Sequence, residues 1–87
     1  MTAKTLFITG ASSGIGAETA RAARRAGWNV GLFARSEDKL LALVEELGDR
    51  ALALPGDVTS LDEQNQALAK LRHAYGGVDA AFANAGM

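Results

Sequence analysis

The sequence predicts an α/β fold, a doubly wound parallel sheet in which β-α-β-α-β-α-β elements give strand order 3-2-1-4. Three observations carry this prediction. Short apolar runs alternate with longer stretches of helical periodicity, the mark of parallel strands joined by crossover helices. The first run, residues 5–9, is apolar on both faces, as a central parallel strand should be. The first strand-to-helix junction is a glycine turn, Thr9-Gly10-Ala11-Ser12-Ser13-Gly14-Ile15-Gly16.

Each element has its own signal. Residues 5–9 (TLFIT) read as the first strand. From 15 to 26 the pattern is helical, and Ala17, Ala20, Ala22, Ala23 and Ala26 are good helix formers small enough to let the helix lie close to the sheet. Arg21, Arg24 and Arg25 fall in its later turns, where cations suit the helix dipole, and read as a solvated face. Gly27 suits the position just past the helix end. Residues 28–34 (WNVGLFA) form the second strand, with Val30, Leu32 and Phe33 apolar. Ser36 is the expected N-cap of the second helix, with Glu37 and Asp38 in its first turn. Leu40, Leu41, Leu43, Val44 and Leu47 make its core stripe, and Gly48 ends it. Residues 51–54 are the third strand, broken by Pro55-Gly56. Ser60 with Glu63 fits a capping box for a third helix that runs to Tyr75, with Leu61, Ala67, Leu68, Leu71 and Tyr75 expected to face inward. Gly76-Gly77 stop that helix, residues 78–83 form the fourth strand, and Asn84-Ala85-Gly86-Met87 follow.

Composition narrows the function. Eighty-seven residues suffice for one small domain, 1–87, that buries only about 60–65% of its unfolded surface. A net charge of −1 gives no basic excess for nucleic acid. The absence of cysteine excludes disulfides, thiol nucleophiles and cysteine-based metal sites, and no other metal constellation is present. The N-terminal apolar run is too short for a signal-peptide core or a membrane span, so the expectation is a cytoplasmic protein with no membrane partner.

The glycine turn is where the chemistry points. A helix N-terminus has free N–H groups and a partial positive charge, and so can hold an anion. Gly10 would end the strand in a tight turn; Gly14 and Gly16 would let a pyrophosphate approach the backbone and let the helix pack on its strand; Ser12 and Ser13 add hydroxyl donors. The spacing, Thr-Gly-x-x-x-Gly-x-Gly, resembles that of the short-chain dehydrogenase/reductase family, and the likeness spans nearly the whole chain but about the first third of a typical member. It implies the N-terminal part of a Rossmann-type, NAD(P)-binding domain in which Gly10, Ser12, Ser13, Gly14, Ile15 and Gly16 cradle the pyrophosphate.

The family resemblance implies three further contacts. Arg35 lies about twenty residues beyond the turn, where the cofactor ribose is read. Family members that use NAD commonly place Asp at the end of strand two, where this chain has Ala34; a guanidinium at Arg35 would instead favour a 2′-phosphate, so NADP is expected over NAD. The alternative is that Arg35 is a solvated loop residue and Glu37 or Asp38 reads the ribose. Asp57-Val58 matches the acidic position near the adenine ring, with a turn or cap aspartate as the plain alternative. Asn84-Ala85-Gly86 resembles the family's Asn-Asn-Ala-Gly segment, with Ala83 in place of the first Asn, and would flank the nicotinamide-side ribose.

The family's catalytic serine and Tyr-x-x-x-Lys pair have no counterpart in these 87 residues. Tyr75 is followed four positions on by Asp79, and His73 reads as a surface residue near a helix end. No catalytic residue is therefore assigned. The lineage implies hydride transfer between NADP(H) and an alcohol or carbonyl, with such a substrate a partner only if further chain supplies the active site. Two other classes stay open: a dinucleotide-binding module without turnover, and a fragment that associates through an exposed sheet edge.

Overall fold

The structure is a computed structural model that describes residues 3–83. Its elements are β1 (Thr5–Thr9), α1 (Gly14–Arg25), β2 (Asn29–Ala34), α2 (Glu37–Leu47), β3 (Ala51–Pro55), α3 (Leu61–Tyr75) and β4 (Ala80–Ala83). The four strands form one parallel sheet in the order β3-β2-β1-β4, as the alternating pattern predicts.

Register follows from which side chains must be buried. Ile8 pairs with Leu32 and Phe82, and Leu32 with Ala53, so these four form one row across the sheet. They belong to the apolar layer under α1 and α2, together with Val30, Ala20, Leu40 and Leu43. The opposite face carries Phe7, Phe33 and Leu54 under Ala67 and Leu71 of α3. The rings of Phe7 and Phe33 lie 5.7 Å apart, tilted by 42°. Two helices thus cover one face and one covers the other. Gly31 makes the single-helix side close: a Cβ there would stand 2.6 Å from Leu71 Cδ2 and 3.1 Å from Leu54 Cδ1. The glycine in β2 is a socket for the α3 leucine, a reason for strand glycine that only the facing helix reveals.

Some expectations are corrected. Leu41 is 52% exposed, because it stands about 100° around α2 from Leu40 and off the stripe made by Leu40, Leu43, Val44 and Leu47. Leu61 is 71% exposed; it is the first residue of α3, and the residues that seat this helix, Ala67 and Leu71, begin more than a turn later. The second strand starts at Asn29 because the Trp28 N–H is spent on Ala23 O, 2.9 Å away, closing the end of α1. The third strand runs one residue further, through Pro55. A missing N–H is tolerated on an edge strand, and Gly56 N–H continues the ladder to Ala34 O at 2.9 Å.

The arginines of α1 are more than a solvated face. Arg21 bonds Glu46 of α2 at 2.6 Å and Glu18 at 3.0 Å. The hydrogen bond from Arg21 holds the Glu46 carboxyl below the usual carboxylate range. Arg24 donates to the carbonyls of Trp28 at 2.9 Å and Leu47 at 3.4 Å, and so caps the last turn of α2. The fourth strand begins at Ala80 rather than at 78, because Asp79 serves as a clamp: its carboxylate accepts the Thr5 N–H at 2.8 Å, and its own N–H donates to Thr5 O at 2.9 Å. Beside that clamp, buried Asn29 donates to Thr5 Oγ1 at 3.2 Å. Among the described residues β4 pairs on one side only, with β1; Phe82 is half-buried and Ala80, Ala81 and Ala83 are exposed.

Candidate functional site

The carboxyl ends of β1, β2 and β3 bring the glycine turn, Arg35 and Asp57 to one end of the sheet. Strand order reverses between β1 and β4, and open α/β sheets bind ligands beyond the carboxyl ends at such a point.

The turn is built in main-chain atoms. Gly10 takes φ 65°, the left-handed region that glycine enters without penalty, and turns the chain out of β1. Ser13 then caps α1: its Oγ accepts the Gly16 N–H at 3.3 Å and donates to Gly10 O at 2.9 Å. Ala11 N–H reaches across to Phe33 O at 3.2 Å, tying the turn to β2. The three glycines divide their work. A Cβ on Gly16 would stand 2.3 Å from Gly10 O and 2.9 Å from Ala11 Cα, so this glycine lets the helix close on its own turn. A Cβ on Gly14 would meet nothing within 4 Å. Gly14 is therefore no packing glycine; it stands exposed in the first turn of α1. Among the described residues no acceptor faces the amides of Gly14 and Ile15, and the Ile15 side chain is 65% exposed. Two N–H groups, the positive end of a twelve-residue helix and an uncovered glycine form a cradle suited to an anion.

At the end of β2 and the loop after β3, the two side chains predicted to read the ribose and the adenine meet each other. Arg35 Nη2 stands 3.1 Å from Asp57 Oδ2, with the Arg35 side chain 72% exposed. Asp57 Oδ1 accepts the Thr59 N–H at 2.9 Å and its hydroxyl at 2.8 Å. These Thr59 bonds, and then Arg35, hold the Asp57 carboxyl below the ordinary aspartate range. The Asp57 N–H is held by Glu63 Oε1 at 2.7 Å. Only half of the expected capping box therefore forms: Ser60 Oγ accepts the Glu63 N–H at 3.2 Å, while the Glu63 carboxylate turns to Asp57. Val58 faces the apolar layer under α3, and its carbonyl accepts from Gln64. Glu37 and Asp38 are exposed in the first turn of α2, beside the same end of the sheet.

Thr59, Glu63 and Gly56 are contributors that the sequence reading missed. Gly56 is needed because a Cβ would stand 2.5 Å from Phe33 Cε1. The one available signal was its place after Pro55, which marks a turn but not the ring across from it. Asn84, Ala85 and Gly86 lie outside the described residues. Tyr75 and His73 end α3, at the amino ends of the strands and away from the glycine turn. The Tyr75 hydroxyl donates to Asp49 O at 3.4 Å, and burial pushes its phenol up, partly offset by Arg24 and Arg50. A phenol raised by burial and held at the wrong end of the sheet is unsuited to proton transfer at this site. Among the described residues no group of three or more His, Asp or Glu could hold a metal ion, and no helix is long and apolar enough to cross a membrane.

Sheet order, glycine turn and helix terminus together define a nucleotide-binding α/β unit. A profile of the short chain dehydrogenases matches residues 4–87, and the chain belongs to that family. It is 39% identical to a probable NADP-dependent dehydrogenase of Dichelobacter nodosus, over 94% of this chain and 77% of that protein. Its fold superposes on an actinorhodin polyketide ketoreductase solved with NADPH at a TM-score of 0.91, with 35% identity over 100% of this chain and 36% of that one. A 3-ketoacyl-(acyl-carrier-protein) reductase of Brucella melitensis complexed with NADH gives a TM-score of 0.88, with 29% identity over 92% of this chain and 33% of that one. The chain spans about a third of the length of most of the curated relatives it matches, and corresponds to the nucleotide-binding region of the family.

Proposed function

We propose that these 87 residues bind a nicotinamide dinucleotide, NADP in preference to NAD, as the cofactor-holding part of an oxidoreductase. One observation carries the reading: at the N-terminus of α1 the Gly14 and Ile15 amides have no acceptor among the described residues, and Gly14 carries no side chain to keep a ligand from them. A pyrophosphate fits that donor set, since it needs close backbone approach and N–H groups rather than side chains. Ser13 is committed to the helix cap and so positions the turn, while Ser12 would add a hydroxyl donor to the cradle. Gly10 and Gly16 hold the turn and the helix together, and Ile15 stands at its outer edge.

Arg35 supplies the charge that favours a 2′-phosphate, and its exposure leaves most of its donors available to one. Asp57, with Val58 beside it, would accept a hydrogen from the adenine amine; Asn84, Ala85 and Gly86 would flank the ribose on the nicotinamide side. The bound dinucleotide would supply hydride chemistry toward an alcohol or carbonyl. The chain's own part is to bind and orient. No Tyr-x-x-x-Lys pair occurs in these 87 residues, so they offer no such positioned acid or base for proton transfer at a substrate oxygen.

Calorimetric titration with NADPH and NADH tests the reading. NADPH should bind more tightly, and Arg35→Asp should cost about tenfold to a hundredfold in NADPH affinity, the range for a lost hydrogen bond to a charged group. Equal affinity of the parent for both cofactors would remove the NADP assignment, and no binding of either would remove the cofactor reading itself.

A further inference from the structure

The residue expected to attract a 2′-phosphate is already neutralised by the residue expected to meet the adenine. Arg35 Nη2 and Asp57 Oδ2 are 3.1 Å apart, and the carboxylate is not free to swing away. Its other oxygen takes two bonds from Thr59, and its backbone N–H is tied to Glu63 of α3. Asp57 is thus a fixed negative charge, while Arg35, 72% exposed and joined by one nitrogen, is the mobile partner. From this asymmetry we infer that Asp57 is a specificity-determining residue that restrains the preference for 2′-phosphate. It competes with the phosphate for the Arg35 guanidinium and sets a like charge beside it, so the site admits both the 2′-phosphorylated and the 2′-hydroxyl dinucleotide.

This inference rests on the proposed cofactor site, and adds to it that the two reading residues oppose each other. The bond to Glu63 gives α3 a part in the balance. By holding the Asp57 N–H, Glu63 keeps the carboxylate in place against Arg35. Glu63 is a positioning residue here, acting on the ligand only through Asp57.

The test is a ratio. Titrate the chain calorimetrically with 2′,5′-ADP and with 5′-AMP, which share adenine and ribose and differ in the 2′-phosphate. Adenine contacts made by Asp57 cancel between the two ligands. The ratio of their affinities should rise about three- to fivefold in Asp57→Asn, as expected for losing an exposed ion pair and a like-charge neighbour. It should rise less in Glu63→Gln, which keeps the backbone acceptor but weakens its hold. In Arg35→Met the ratio should fall toward one, and adding Asp57→Asn there should move it little, because the carboxylate no longer has a guanidinium to occupy. Circular dichroism confirms that each variant is folded. An unchanged or lower ratio in Asp57→Asn, with both ligands still binding, overturns the inference and leaves the cofactor reading standing. Failure of the parent to bind either ligand overturns both.

Discussion

Adding one methyl group at Gly16 should distinguish a turn that the helix closes on from a turn that merely contains glycine. In Gly16→Ala the new Cβ would stand 2.3 Å from Gly10 O, 2.9 Å from Ala11 Cα and 3.0 Å from Gly10 C. All three are backbone atoms, so no rotamer change relieves the overlap; α1 must move off the turn, or the turn must move off β1. Overpacking costs about 1–3 kcal/mol, and a clash with backbone alone belongs at about 3. Alanine returns about 1 kcal/mol in helix propensity. The net loss is about 2 kcal/mol, against a total of about 4–13 kcal/mol for 87 residues. In a domain this small it should lower the melting temperature by about 8–16 °C. Gly14→Ala is the matched control, since its Cβ meets nothing within 4 Å; its melting temperature should hold or rise by a few degrees. Thermal unfolding followed by circular dichroism reads both. A Gly16→Ala variant melting within about 2 °C of the parent would refute the claim that helix and turn are in rigid contact.

Other perturbations address the site and its surroundings. Gly14→Val should leave the fold intact yet abolish dinucleotide binding, because its branched side chain would crowd a phosphate approaching the first turn of α1; parental affinity by calorimetry would make the exposed glycine irrelevant to the ligand. The Asp57 carboxyl is held low in the folded chain, so its contribution to stability is present above the ordinary aspartate pKa and is lost as pH falls through the folded value. The urea midpoint of Asp57→Asn should therefore fall short of the parent's near neutral pH, and the gap should close below about pH 4; a gap independent of pH would mean that the charge contributes nothing. Purified as it stands, the chain should oxidise no NADPH against a carbonyl substrate, for want of a positioned acid, and sedimentation should show association through the one-sided edge of β4. A monomer with turnover would contradict both expectations.

Much of the fold could be read from residue order because local chemistry and the tertiary outcome agree. Ser60 caps the helix it precedes, Ser36 takes the expected N-cap position of α2 although its side chain makes no cap bond, and Gly10 takes the positive φ that a tight exit from a strand requires. Strand order followed from the alternation of elements and the handedness of crossovers. What could not be read lies in contacts between residues far apart in the chain. Gly31 is a strand glycine until Leu71 comes down on it, and Asp79 is a loop aspartate until it clamps Thr5. Leu41 and Leu61 look like core by residue type, and only the angle or position on their helices puts them outside. At the site, the turn was legible because its geometry is local. The Arg35–Asp57 contact was not, since each residue taken alone pointed at a ligand and neither at the other. Glu63 showed only half its role, because a capping-box pattern does not say which N–H the carboxylate will choose.

The one-sided pairing of β4 sets a gradient of local opening across the sheet. Amides of β1 and β2, with neighbours on both sides, should exchange with solvent only when the whole domain unfolds, whereas among the described residues β4 has β1 alone and three exposed alanines. Its cheapest excursion is to peel away, releasing the Asp79–Thr5 clamp and baring β1 from Leu6 to Thr9. That stretch runs directly into Gly10, so the strand carrying the phosphate turn loses half of its lateral support in the opened form. If the turn holds a dinucleotide as proposed, its occupancy and the docking of β4 should be linked: whatever pins β4 should raise affinity at the turn without touching the ligand, and the ligand should slow exchange along β4 by the same free energy.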